Sequence, residues 1–225
     1  MNYKQTLLAS LLLALMAVMG LPAFAQNKNQ QLIISFHTTV YDDNKGETPI
    51  VTFSLGSTQG NEYVDIDCGN GPEELAVGVA KLQQGAEVPT GTDYSGTVTK
   101  DGIVKIYGDP SKIDFFNATG CKIDQITFHK DLKLSYLRLA YNSIKQIDLS
   151  NLKSLQFLYL RDNPFSAQTP LALGNMPELL ELEIAQCAYV QSKFELKNFP
   201  KLVSFDAYHC RTIDRKSTRL NSSHW

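Results

Sequence analysis

LSYLRLAYNSI at residues 134–144 and LQFLYLRDNPF at residues 155–165 are two copies of one pattern, LxxLxLxxNxL, set 21 residues apart. The first copy fills the pattern with Leu134, Leu137, Leu139, Asn142 and Ile144, the second with Leu155, Leu158, Leu160, Asn163 and Phe165. Working outward, the same template can be laid from Ile113, Leu179 and Leu202, so that five units start 21, 21, 24 and 23 residues apart. The outer units are less regular. The first sets Phe116, Ala118, Cys121 and Ile123 in the core places, and the last uses Phe205, Ala207 and Cys210.

One such unit cannot bury its own apolar side, whereas stacked units share a continuous core and pair their short strands edge to edge. The ninth place is a bend, where an Asn amide can satisfy backbone groups that the turn leaves unpaired. Cys121, Cys187 and Cys210 take that place in the other three units. The period lies in the range of roughly 20–29 residues that marks leucine-rich repeats. The expected fold is an α/β-type leucine-rich-repeat solenoid of short parallel strands, with a mostly irregular or 3-10 convex side, preceded by a small all-β domain.

That preceding domain is read from residues 26–108, and the repeat array from residues 109–213. Upstream of Gly108, Leu32–Thr39, Pro49–Leu55, Tyr63–Cys68 and Ile103–Tyr107 are short β-branched or aromatic runs punctuated by Gly, Pro and Asp. Asp101-Gly102, between Gly96–Thr99 and Ile103–Ile106, is a hairpin signal. An all-β cap has a clear task, because the first repeat would otherwise present an unpaired strand and an open core end.

Residues 1–25 read as a secretory signal peptide: Lys4, an apolar run from Leu7 to Leu21, and the small-x-small site Ala23-Phe24-Ala25. The mature chain is expected to begin at Gln26 and to be exported, at the cell surface, secreted or periplasmic. The apolar run is shorter than the roughly 20 residues of a bilayer span, so no membrane insertion of the mature chain is expected. Residues 214–225, DRKSTRLNSSHW, carry no repeat pattern, and the first eleven resemble a translated sequencing adapter. That resemblance implies a protein that continues past Ile213. Setting aside both segments removes Lys4, Arg215, Lys216 and Arg219 against Asp214, which moves the formal charge from −2 to −5 for the 188 residues between. A mildly acidic chain without a basic stripe argues against nucleic acid as a partner.

The export signal, a β-rich segment ending VKIYGD at 104–109, and repeats that alternate Asn with Cys resemble the exported leucine-rich-repeat proteins of Bacteroidota. The resemblance implies a surface or secreted recognition module, often with further domains or a sorting signal toward the C-terminus.

Residues between the template leucines should face the open side of the sheet. They are Asp114, Phe115 and Asn117, then Tyr136, Arg138 and Tyr141, then Phe157, Tyr159 and Arg161, then Glu181 and Glu183, then Asp206 and Tyr208. Phe115, Tyr136 and Phe157 hold the same place in adjacent units and are expected to form an exposed aromatic ladder with steps of about 5 Å. Aromatics and Arg anchor protein interfaces, and exposed rings also stack on sugars. The expected ligand-binding set is Phe115, Tyr136, Arg138, Phe157, Tyr159, Arg161, Glu183, Asp206 and Tyr208, with a protein or glycan ligand. Cross-strand packing that only stabilises the sheet is the competing reading.

Cys187 and Cys210 sit in equivalent places of neighbouring units, where either a disulfide or a ladder of buried thiols is possible. Asp65–Gly71 has the alternating acids of a calcium loop, but the twelfth place counted from Asp65 is Ala76, so a strand followed by an Asn-Gly turn is preferred and no metal or other cofactor is expected. His37, His129 and His209 are scattered, no GxSxG or HExxH occurs, and Glu181 with Glu183 reads as binding or solvated charge and not as a glycosidase pair. The chain thus reads as a non-enzymatic recognition or adhesion module. The alternative is the non-catalytic targeting part of a larger secreted enzyme.

Overall fold

In the computed structural model, residues 30–43, 48–57, 59–80, 90–188, 190 and 195–210 are described. The expected signal peptide and the 214–225 segment lie outside them. Each repeat contributes one three-residue strand at template places three to five: β7 (Phe115–Asn117), β9 (Tyr136–Arg138), β10 (Phe157–Tyr159), β11 (Glu181–Glu183) and β12 (Ser204–Asp206). These strands pair in parallel and in strict register, Phe115 to Tyr136 to Phe157 to Glu181 to Ser204. Phe116, Leu137, Leu158, Leu182 and Phe205 therefore point to one side, where all but the last are fully buried.

The strand ends at a bend of constant shape. Place eight takes a left-handed backbone in every unit, with φ of 69° at Gly120, 58° at Tyr141, 55° at Asp162, 59° at Gln186 and 60° at His209. Place nine then turns inward. The Asn142 amide nitrogen donates to the carbonyls of Ala118 (2.8 Å) and Leu139 (2.9 Å), while its oxygen accepts the Ile123 N–H at 3.0 Å. Asn163 repeats this one unit on, donating to Leu139 (2.9 Å) and Leu160 (2.8 Å) and accepting from Ile144 N–H at 3.1 Å. Where Cys replaces Asn, the thiol keeps one of these bonds, the one to the preceding unit: Cys187 to the Leu160 carbonyl at 3.2 Å and Cys210 to the Ile184 carbonyl at 2.9 Å. The four cysteines are free thiols. Burial pushes the Cys121 and Cys187 thiols up to about 12 and Cys210 to about 11.

The chain returns to the next strand through tight i→i+3 turns, not helices. Leu152 N–H bonds to Leu149 C=O at 3.1 Å, Leu179 to Met176 at 3.3 Å and Leu202 to Phe199 at 3.1 Å. Asp148 fixes the start of one such turn by accepting the Ser150 N–H at 2.8 Å. With apolar residues three apart already sealing the core, units of this length need no α-helix, and the described part of the array has only the 3-10 turn Leu196–Asn198. The α/β label therefore does not describe this strand-rich solenoid.

Seven further strands belong to the N-terminal side: β1 (Gln31–Thr38), β2 (Ile50–Gly56), β3 (Glu62–Asp67), β4 (Pro72–Val77), β5 (Thr92–Thr97), β6 (Ile103–Gly108) and β8 (Ile123–Phe128). β2 lies antiparallel on β7 and β5 on β2, so the seven-stranded sheet runs β12-β11-β10-β9-β7-β2-β5. β2 thereby covers the edge that the first repeat strand would leave open. A second, antiparallel sheet has the order β4-β3-β6-β1-β8. The two sheets pack through Phe36 of β1, Phe53 of β2 and Phe116 of β7, with ring centroids 5.6 Å apart for the first two and 5.7 Å for the last two.

The first repeat gives a strand to each sheet, β7 to one and β8 to the other. Cys121 at its bend donates to the Thr52 carbonyl of β2 at 2.9 Å, so β2 takes the place of a preceding unit. One apolar core runs from Ile33 to Leu202, and the antiparallel sheet takes β8 from beyond Gly108, so packing is continuous across that position. The Asp101-Gly102 turn forms, with Gly102 N–H on Thr99 C=O at 2.9 Å, but the expected hairpin does not. The turn passes the chain from β5 in one sheet to β6 in the other, because the Gly102 carbonyl is taken by Thr38 N–H of β1 at 2.8 Å.

Candidate binding face

Side chains alternate across a strand, so places three and five of each unit lie opposite the core. They form two columns. The first holds Phe115, Tyr136, Phe157, Glu181 and Ser204; the second holds Asn117, Arg138, Tyr159, Glu183 and Asp206.

The aromatic ladder of the first column exists but is buried, which corrects the expectation of an exposed one. Phe115 and Tyr136 stack at 4.6 Å with planes 17° apart, and Phe157 follows at 6.0 Å. Their exposures are 0%, 1% and 6%. Ala80 packs into the same small cluster, with Tyr159 and Leu180 at its margin. Two glycines let backbone approach this end of the sheet. A Cβ on Gly56 would meet the Ala80 Cβ at 2.5 Å, and one on Gly91 would meet a Phe115 ring carbon at 2.8 Å and the Leu55 carbonyl oxygen more closely still. Repeat spacing tells which side a ring faces; it does not tell that chain from another part of the sequence lies across that side. Gly56, Ala80 and Gly91 are the small residues that signal it.

The second column stays accessible and is tied together by its own contacts. The Arg138 guanidinium lies over the Tyr159 ring at 5.4 Å, and the Tyr159 hydroxyl donates to Glu181 at 2.8 Å. Burial, then the Glu181 carboxylate, raises the Tyr159 hydroxyl well above the usual phenol range. Arg161 pairs with Asp162 at 3.1 Å and Glu183 at 3.5 Å, and lies 5.8 Å over the ring of Tyr141. Asn117 turns back to accept from Thr119, and Asp206 accepts the Tyr208 N–H at 3.0 Å. At the rim, Tyr141 is 50% and Tyr208 62% exposed, the latter stacked on His209 at 4.0 Å.

Of the expected ligand-binding set, Arg138, Tyr159, Arg161, Glu183, Asp206 and Tyr208 are therefore half-buried or exposed, whereas Phe115, Tyr136 and Phe157 are not. The expectation missed that Tyr141, on its left-handed backbone, carries the ring beneath Arg161. Asp114 is buried beneath the strand start. Elsewhere, His37 pairs with Asp124 at 2.6 Å, His129 lies beside Asp131, and His209 is at the far rim, so the histidines do not converge. Asp67 accepts N–H bonds from Gly69 (2.8 Å) and Gly71 (3.2 Å), closing the hairpin between β3 and β4. Burial and the facing Glu74 raise the Asp65 carboxyl. Among the described residues no group of three acids, His or Cys is placed to hold a metal, and no helix is long and apolar enough to cross a membrane.

Residues 154–176 match the Leucine Rich Repeat family model. The match spans the third unit from its start to the turn before the fourth. No curated protein and no solved structure matches the chain. The family match and the in-register parallel strands together support a leucine-rich-repeat protein.

Proposed function

We propose that this chain is an exported, non-catalytic recognition module that binds a protein partner on the open face of its seven-stranded sheet. The observation that carries the reading is the second column: Arg138, Tyr159, Glu183 and Asp206 stand in register on adjacent strands, with Tyr141, Arg161 and Tyr208 beside them. Arg and Tyr are the side chains that most often anchor protein interfaces, and groups held by neighbours lose little freedom on binding. A glycan is the weaker choice, because stacking on sugars needs open ring faces and the three-ring ladder offers none. Export is supported by the basic, apolar and small-x-small segments of residues 1–25.

Photo-cross-linking tests the reading. A photoreactive residue at position 141 or 208 should trap a protein partner in producing cells, while the same group at Lys133 or Lys153, on the return segments, should not. Equal trapping from both sides would sink the proposal.

A further inference from the structure

Resting on that face as the binding surface, we infer that Arg138 and Tyr136 form an anchor for one carboxylate of the partner, the side chain of an Asp or Glu in a segment laid across the sheet.

Two polar atoms carry the inference. The Arg138 Nε and the Tyr136 hydroxyl are both buried and neither makes a well-aligned hydrogen bond among the described residues; the guanidinium and the hydroxyl lie beside each other, and Glu181 and Glu183 are close enough to act on the tyrosine by charge. They belong to alternate residues of one strand and face the same way. Buried donors without partners are rare, because each loses its water and gains nothing in return. Arg138 is also the contrast to its neighbour: Arg161 has Asp162 and Glu183, whereas Arg138 has no ion pair among the described residues and lies over the Tyr159 ring. Arg138 as a whole is half-buried, so part of the side chain reaches the surface, while its Nε and the Tyr136 hydroxyl are covered in the unbound chain and must be uncovered for the carboxylate to reach them.

A carboxylate suits this pair. Its two oxygens can accept one N–H from the guanidinium edge and the O–H of the tyrosine, and its single negative charge answers the unpaired cation. The two nearby acids do not compete, because Glu181 accepts from Tyr159 and Glu183 pairs with Arg161. Those same acids disfavour a doubly charged phosphate. A neutral sugar hydroxyl would leave the cation unanswered.

The probe is a capped peptide of alternating Ser and Glu, titrated into the intact 15N-labelled chain, with its Ser and Gln counterpart and inorganic phosphate as controls. The Arg138 Nε–Hε resonance should move saturably with the Glu peptide, at an affinity at least about tenfold above that for the Gln peptide. Arg138→Gln should abolish the effect. Tyr136→Phe keeps the ring stack, so it should weaken the Glu peptide several-fold without lowering the melting temperature, and it decides the matter if Arg138→Gln does not fold. An unmoved Arg138 resonance, equal affinity for the two peptides, preference for phosphate, or unchanged binding by Tyr136→Phe would each overturn the anchor. Cross-linking from positions 141 and 208 that survives such a result leaves the face in place and removes only the carboxylate.

Discussion

The units that start at Leu134 and Leu155 are held differently from those at Leu179 and Leu202. In the first pair a buried Asn donates to its own bend and to the preceding unit, and also accepts a backbone N–H from beyond that unit's bend. In the second pair a thiol makes a single bond backward. With no amide oxygen at place nine of the fourth unit, Phe165 N–H instead turns to the carbonyl of Asn163 at 3.0 Å. Stacking alone does not tie repeats equally. The ninth side chain decides how many backbone groups of the neighbour each unit satisfies, so coupling should weaken from the Asn units to the Cys units.

The largest effect that can break this comparison is Asn163→Ala. It strands the Ile144 N–H and removes a donor from Leu139 and Leu160, and should cost roughly 2–4 kcal/mol in urea unfolding. Cys187→Ala should cost less, about 1–2 kcal/mol, because Leu160 keeps Asn163 as a donor and only a small void is left. Equal losses would remove the distinction. Alkali gives the next test. Burial raises the Cys187 thiol from 9.0 to about 12, so the folded form holds its proton where the unfolded chain has lost it. That contribution is complete below pH 9 and falls as pH rises from there toward 12, by up to about 1.4 kcal/mol per pH unit. Urea midpoints measured from pH 8 to 10.5 should fall less steeply in Cys187→Ala than in the parent.

The smallest effect concerns what both kinds of unit share. Place eight is left-handed throughout, and Tyr141 is held there although Asn tolerates that backbone better. Tyr141→Asn should raise stability by about 0.5–1 kcal/mol, read as a higher melting temperature. If partner binding falls at the same time, the ring under Arg161 is kept for recognition and not for folding.

The template leucines, the parallel strands, the bend and the Asn ladder were legible because each follows from a period set by backbone geometry. The strands at Pro72–Val77, Thr92–Thr97 and Ile123–Phe128 were not. Glu73 and Glu74 are both exposed on an edge strand, Ser95 and Gly96 carry little β signal, and Ile123–Phe128 hides inside the first repeat's return. Which charged and aromatic residues line the open face was readable from register. That Phe115, Tyr136 and Phe157 are shielded was not, since it depends on contacts with residues such as Ala80 that are distant in sequence. The hairpin at Asp101-Gly102 failed for a related reason: a turn fixes the local reversal and leaves the pairing of its arms to the sheets that compete for them.

The first repeat's place in both sheets bears on the order in which the protein is made. Of the two inner strands nearest the start, β1 has β8 as one neighbour and β2 has β7. On a chain that emerges N-terminus first, both strands keep a raw edge until residues 115–128 have followed them out. The early segment thus stays unfinished through the synthesis of the 90 residues that follow Thr38, up to Phe128, and closes only when the first repeat arrives, which makes that repeat the clasp whose timing sets how long sticky edges stay bare.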